Sequence, residues 1–190
     1  MRNVLFIGAN TIKERTTVHS NVDDKNILSI IKTTQDMMIL PALGTGLYER
    51  LQTGITNNDL SALELTLLND FITDCLTYFV LSELPFELSY QFYNKGLVRK
   101  SSENTDTPSM QDLIDISSRY RATAEFYTER MIKYLKQNYN SYPLYLNPGT
   151  GVDVMHPDHD GYKTSIFLGD DYDNRNLSFE ERYQGDHGIC

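Results

Sequence analysis

The chain has 190 residues, with 17 Lys and Arg against 26 Asp and Glu, so its net charge is −9. Hydrophobic residues make up 40% and charged residues 23%, which excludes a collagen-like chain and one that is disordered throughout. The acidic balance also excludes broad adhesion to nucleic acid, because binding to phosphates needs clustered Lys and Arg. We expect one domain with appendages, since single domains cluster near about 100–150 residues.

Residues 1–22 carry no helical periodicity. The strand-like run Val4-Leu5-Phe6-Ile7 and the later run Thr16-Thr17-Val18 favour extended backbone instead. We therefore predict an extended N-terminal arm over residues 1–22. The apolar run is too short for a secretory signal or a membrane helix, so we expect no membrane partner.

Residues 23–139 predict an all-α, four-helix-type bundle, because apolar side chains recur there at the spacing of amphipathic helices. The first segment is capped by Asp23 or Asp24 and is stopped or kinked at Pro41. The second, shorter segment contains Gly44 and Gly46, which predict close packing or an irregular turn. One apolar face of the first segment consists of Ile27, Ile30, Ile31, Thr34 and Met38.

The third and fourth segments each open with a capping box, in which a serine is followed three residues later by an acidic residue. The third begins at Ser61 with Glu64, although Asn58 or Asp59 could also cap it, and we expect Pro85 to end it. The fourth begins at Ser109 with Asp112 and traces one apolar face over about seven turns of helix. These four segments form the predicted helical bundle domain, residues 23–139.

Residues 86–108 begin with aromatic side chains and then become polar, which predicts an exposed excursion between the third and fourth segments. The two cysteines, Cys75 and Cys190, cannot supply a disulfide framework or a Cys-based zinc site, which favours a reducing compartment. Because Cys75 lies on the apolar stripe of the third segment, we interpret it as a core thiol rather than a nucleophile.

Residues 140–190 predict a long irregular tail, because proline and glycine interrupt every helical pattern. From Asn147 onward there are nine acidic and three basic residues, which account for two-thirds of the net charge. The tail also keeps many aromatic residues, which are costly to expose, so we interpret it as an extended arm that orders on a partner surface. The residues that we predict to contact a partner are Tyr142, Tyr145, Leu146, Tyr162, Ile166, Phe167, Leu168, Tyr172, Phe179 and Tyr183.

The strongest metal-like cluster is His156-Pro157-Asp158-His159-Asp160-Gly161. Its histidines lie in a loop with proline and glycine rather than four residues apart on a helix, so we favour a polar turn over a metal site. The run Gly44-Thr45-Gly46 lacks the Lys-Ser/Thr pair of a phosphate-binding loop. We predict no catalytic residue, no cofactor and no bound metal, and hence no enzyme.

The end of the first segment and the whole second segment resemble a known family. Gln35-Asp36 lies near the end of the first helix, and the Lys95-Gly96-Leu97-Val98 turn precedes the last one. Between them comes the run Ile39-Leu40-Pro41-Ala42-Leu43-Gly44-Thr45-Gly46-Leu47-Tyr48-Glu49-Arg50-Leu51. On these residues the chain resembles, over about residues 20–138, the head-to-tail connector (adaptor) proteins of tailed bacteriophages. Its arms and abundant Tyr and Asn are similar to the versions in crAss-like phages.

The resemblance implies a small helical bundle that assembles beneath the portal protein as a closed ring, usually a dodecamer. It implies four kinds of partner: other copies of the chain, the portal protein, other neck or tail ring proteins, and passing genomic DNA that is not bound specifically. It also implies a place in the capsid-tail neck of the virion, after synthesis in the bacterial host cytoplasm. Two alternatives stay open, namely a metal-dependent hydrolase that uses residues 156–160 and a monomeric helical adaptor.

Overall fold

Three long helical stretches, joined by short connections, make up most of the computed structural model, which describes residues 4–94, 96–99, 108–150 and 153–157. Two of these stretches contain a π-helical turn. In chain order the elements are α1 (Ala9–Arg15), α2 (Asp24–Thr34), the first π-helical turn (Gln35–Ile39), α3 (Leu40–Asn57), α4 (Ala62–Leu67), the second π-helical turn (Leu68–Ile72), α5 (Thr73–Ser89), β1 (Tyr90–Tyr93), β2 (Gly96–Arg99), α6 (Met110–Gln137), a 3-10 turn (Tyr139–Ser141) and α7 (Pro143–Leu146).

Helix α5 is the centre of the bundle, because α2 and α6 both pack against it. Buried residues follow one another along α5 without a polar face, which is the pattern of a helix covered on several sides. Cys75, Leu76 and Val80 have no exposed surface. The predicted helical bundle is therefore confirmed, and Cys75 is a core thiol as expected.

The predicted caps are also confirmed. Ser61 Oγ accepts a hydrogen bond from Glu64 N at 3.3 Å, and Glu64 Oε2 accepts one from Ser61 N at 2.8 Å. The same reciprocal pair joins Ser109 and Asp112 at the start of α6. Each box satisfies amides that have no partner within the helix, and so fixes where these two helices begin.

The prolines act differently from the expectation. Pro41 is the second residue of α3, directly after the first π-helical turn, and the helical backbone breaks instead at Gly44, with φ of 74° and ψ of 159°. Pro85 lies inside α5, which continues to Ser89, so the prediction that it ends the helix is wrong. Leu84 is buried beside it, and this burial offsets the hydrogen bond that proline cannot make.

The chain after α5 forms a hairpin that the sequence did not predict. Strands β1 and β2 are antiparallel, with Tyr90 opposite Arg99 and Tyr93 opposite Gly96. This hairpin occupies part of the expected excursion over residues 86–108 and connects α5 to α6. The two helices are antiparallel, so that they pack along their whole common length.

Residues 1–22 do not form the extended arm that the sequence predicted, because their described part contains α1. Phe6, Ile7 and Ile12 are buried in the bundle core. Lys13 and Arg15 lie in the last turn of α1, where positive charge favours the helix end. Two turns of helix are too short to show a clear periodicity, which explains why the sequence pattern did not reveal them.

Candidate functional site

The motif Leu43-Gly44-Thr45-Gly46-Leu47 packs directly against the described part of residues 148–157. Thr45 N donates to Met155 O at 3.0 Å, and Met155 N donates to Thr45 Oγ1 at 2.9 Å. A Cβ at Gly44 would lie 2.8 Å from Pro157 Cδ. A Cβ at Gly46 would lie 2.6 Å from the Cα of Pro148. The two glycines are needed because the returning chain crosses directly over them, so this glycine seat (Gly44, Thr45, Gly46) confirms the predicted close packing.

A buried glutamine holds the N-terminal segment. Gln35 Oε1 accepts a hydrogen bond from Phe6 N at 2.8 Å, and Gln35 Nε2 donates to Val4 O at 3.0 Å. Gln52 Nε2 donates to the same carbonyl at 3.2 Å. One side-chain amide therefore pairs with the backbone much as a neighbouring strand would, and this Gln35 clamp keeps residues 4–6 on the bundle.

Tyr48 completes the clamp. Gln35 Nε2 donates to its hydroxyl at 2.8 Å, and the hydroxyl donates to Asp36 Oδ1 at 2.7 Å. Asp36 also forms an ion pair with Lys32. Burial raises the pKa of Tyr48 above its ordinary value, the Gln35 amide opposes this rise, and the hydrogen bond and charge of Asp36 add to it. The phenol therefore remains a donor at neutral pH.

A column of aromatic rings joins the second π-helical turn to the end of α6 and the residues beyond it. Phe71 stacks on Tyr134 with 4.2 Å between ring centroids, and Tyr134 meets Tyr142 edge-on at 5.9 Å. The hydroxyls of the two tyrosines are 3.0 Å apart. Tyr142 donates its hydrogen to Leu63 O at 2.8 Å, so Tyr134 is the donor in the pair of tyrosines. Burial raises the pKa of Tyr142.

The outer side of this column is an open groove. We call it the Phe71 groove; it has a volume of about 410 Å³ and is lined by Phe71, Phe126, Glu129, Arg130, Lys133, Tyr134 and Gln137. The guanidinium carbon of Arg130 lies 4.8 Å from the centroid of the Phe71 ring, a cation–π contact. Within the described part of the chain Arg130 has no carboxylate partner, whereas Lys133 pairs with Glu129 at 3.4 Å. The groove is thus aromatic with a net positive charge.

Helix α6 exposes apolar side chains outside the core. Met110 and Ile114 lie one turn apart on the same side, and Ile116 and Phe126 are also exposed. Met37, in the first π-helical turn, is 62% exposed. Isolated exposed apolar residues are common, but Met110 and Ile114 share one face of α6, so another molecule could cover them together.

The structure places the predicted partner-binding residues in three groups. Tyr142 and Tyr145 are buried in the core of their own chain, so their side chains are not available to a partner in this conformation. Leu146 is exposed at the end of α7. The others lie outside the described residues, namely Tyr162, Ile166, Phe167, Leu168, Tyr172, Phe179 and Tyr183.

The cluster at residues 156–160 is described only at its first two positions. His156 is exposed and Pro157 is buried against Gly44. Asp158, His159 and Asp160 lie outside the described residues. In the described ranges no group of three or more His, Cys, Asp or Glu could hold a metal ion. No helix in the same ranges combines the length and apolar character needed to cross a bilayer.

The chain matches a known family. A family model with the description "Family of unknown function (DUF6712)" matches residues 39–154. The chain belongs to the DUF6712 family. The DUF6712 match contains the glycine seat, the aromatic column and the Phe71 groove, whereas Gln35 precedes it. No curated protein and no solved structure matches the chain.

Sequence reasoning missed both the Gln35 clamp and the Phe71 groove. Gln35 lies on a buried part of the helix, next to Thr34 and one turn before Ile39, both of which are also buried. A polar side chain in such a position needs a specific hydrogen-bond partner. The partner itself, the backbone of Val4 and Phe6, could not be identified from spacing. In this member of DUF6712, Gln35 therefore holds residues 4–6 on the bundle, and the glycine seat holds the described part of residues 148–157.

Proposed function

We propose that this chain is a structural protein of the virion that forms a ring below the portal, joins capsid to tail and lines the DNA channel. The observation that carries the proposal is the exposed apolar surface of α6, with Met110 and Ile114 one turn apart. A ring places a neighbour on each flank of every copy, so one surface packs against a different surface of the next copy. Met37, in the first π-helical turn, supplies a further exposed apolar residue.

The roles of the motif residues support the same proposal. Gly44, Thr45 and Gly46 hold the chain that returns from α7, and Gln35 and Tyr48 hold the N-terminal segment. These residues fix residues 4–6 and the described part of residues 148–157 on the bundle. A structural protein that contacts neighbours through its terminal segments needs such anchoring, whereas an enzyme would need converging reactive groups.

The charge of the chain suits a channel for DNA. Its net charge is −9, and a wall that repels phosphate lets the duplex slide without adhesion. We therefore assign a substantial share of the acidic residues to the inner wall of the ring. The partners are other copies, usually twelve in a ring, the portal protein and the adjoining neck or tail rings.

The test is assembly with the portal protein encoded by the same phage genome. Both proteins are co-expressed, and the complex is imaged by electron microscopy. We expect a closed annulus with the unmodified chain and with Ser118→Lys, an exposed polar position on α6. Ile114 is 41% exposed and would be covered by the neighbouring copy. Ile114→Lys should abolish the annulus, because burying the charged lysine against that neighbour would be costly.

Two results would overturn the proposal. One is a chain that stays monomeric beside the portal, which would favour the monomeric adaptor. The other is tightly held zinc or manganese in a purified protein that also has a hydrolytic activity. If His159→Ala lost both the metal and the activity, the result would favour the hydrolase. A basic inner wall in an imaged ring would contradict the assignment of the acidic residues.

A further inference from the structure

We propose that the Phe71 groove binds the C-terminal segment, residues 158–190, of a neighbouring copy. The inference rests on the proposed ring for the presence of that neighbour. It names the surface of the bundle that receives the segment and the chemistry that recognises it.

The groove offers two kinds of contact to a peptide. Phe71 and Tyr134 form a stacked aromatic wall, and the ring of Phe126 is 64% exposed at the other side. Arg130 lies over Phe71 and has no carboxylate partner within the described ranges. The site therefore fits an aromatic side chain that has a carboxylate next to it in sequence, because the ring can stack while the carboxylate pairs with the guanidinium.

The C-terminal segment carries this combination. Residues 158–190 contain eight acidic and three basic side chains, so the segment is negative where the groove is positive. The densest match is Asp170-Asp171-Tyr172-Asp173, in which acidic residues stand on both sides of a tyrosine. Tyr162, by contrast, is flanked by Gly161 and Lys163. We therefore place Tyr172 in the groove.

The length of the segment allows it to reach another copy. Its 33 residues could span about 100 Å when fully extended. Helix α6, the longest described element, has 28 residues and a length of about 42 Å. The segment departs after Pro157, which the glycine seat fixes on α3. From that point it can pass beyond its own bundle to the groove of the next one.

The test measures binding of a fluorescein-labelled peptide of residues 165–178 to the full-length chain by fluorescence anisotropy. The chain carries Tyr172→Ala, so that its own segment does not compete. We expect saturable binding, weakened about fivefold by adding Arg130→Glu, since an exposed ion pair contributes up to about 1 kcal/mol. Arg119→Glu, an equal change of charge at another exposed position of α6, should leave the affinity unchanged.

The outcomes separate this inference from the proposed function. Absence of binding, equal affinity for all the variants, or undiminished binding of a peptide with Tyr172→Ala would overturn the inference. Circular dichroism of each variant checks that the bundle is intact. Peptide binding without an annulus on the portal would support the groove assignment and count against the ring. An annulus without peptide binding would support the ring and contradict the groove assignment.

Discussion

At Gly46 the backbone of another segment occupies the space that a side chain would need. A Cβ there would lie 2.6 Å from Pro148 Cα and 2.7 Å from Pro148 O, and backbone cannot move aside as a flexible side chain can. Alanine is normally the better residue within a helix, so Gly46→Ala tests whether the seat outweighs helix propensity. We expect overpacking to cost about 1–3 kcal/mol and to lift residues 148–157 from α3.

Hydrogen exchange at Met155 measures this directly. Its amide donates to Thr45 Oγ1 at 2.9 Å, and a loss of about 1.4 kcal/mol should speed its exchange about tenfold. The matched control is Gly8→Ala, because a Cβ at Gly8 would meet nothing within 4 Å. Unchanged exchange at Met155 in Gly46→Ala would show that the glycine seat is not what holds the returning chain.

At the scale of one element, the start of α4 depends on a small polar network. Ser61 and Glu64 form the capping box, and Arg50 of α3 donates to Glu64 Oε1 at 2.8 Å and to Asp59 Oδ1 at 2.9 Å. The hydrogen bonds to Asp59 and Glu64 raise the pKa of Arg50. The network thus joins the end of α3 to the beginning of the next helix.

Removing the cap should destabilise the bundle. We expect Ser61→Ala to lower the free energy of unfolding by about 1 kcal/mol, because the amide of Glu64 loses its acceptor. Urea unfolding followed by circular dichroism would give the shift in midpoint. Ser118→Ala, an exposed serine within α6, should be neutral or slightly stabilising, since alanine has the higher helix propensity. Equal losses in the two variants would mean that Ser61 acts through propensity and not as a cap.

The elements that the sequence predicted correctly are those with local signals. Ser61 and Ser109 could be identified because each box is complete within four residues, and the apolar stripe of the first segment is buried at Ile27, Ile31 and Thr34 as predicted. The elements that it missed depend on distant partners. The segment that leads into α1 is held by hydrogen bonds from Gln35 to the backbone of Phe6 and Val4, which lie 29 and 31 positions earlier in the sequence.

The candidate site divides in the same way. Gly44 and Gly46 signalled close packing, but the identity of the chain above them, 111 residues beyond Gly44 in the case of Met155, could not be read from spacing. The Phe71 groove combines residues of the second π-helical turn with residues of α6. Its two halves come together only because α5 and α6 are antiparallel, a property of the fold as a whole.

At the scale of the whole molecule, stability is connected to pH through three of the described groups, whose pKa values burial raises. Burial raises the pKa of Cys75 from 9.0 to about 12, against a smaller opposing effect of its hydrogen bond with Thr128. Burial also raises the pKa of Tyr48 and of Tyr142 above 10.0. These groups lie on α5, on α3 and before α7, so their combined effect reports on the entire core.

The sign of the pH dependence follows from proton binding. Above about pH 9 the unfolded chain releases protons that the folded chain keeps, so the folded state binds more protons and its stability falls as the pH rises. Each group contributes up to about 1.4 kcal/mol per pH unit between its unfolded and folded pKa. We therefore expect the urea midpoint to be level from pH 7 to 8.5 and to fall steeply from pH 9 to 12.

The variant Tyr48→Phe separates the effect of the buried Tyr48 proton from other causes of lost stability at high pH. The variant should be less stable at pH 8, because Asp36 loses a donor and Gln35 loses an acceptor, at a cost of about 1–3 kcal/mol. Its decline above pH 10 should nevertheless be shallower, since one buried proton no longer differs between the folded and unfolded states. If the variant and the unmodified chain lost stability in parallel over this range, the phenol of Tyr48 would not be held protonated by the fold, and the clamp would be a weaker constraint on the N-terminal segment than its hydrogen bonds indicate.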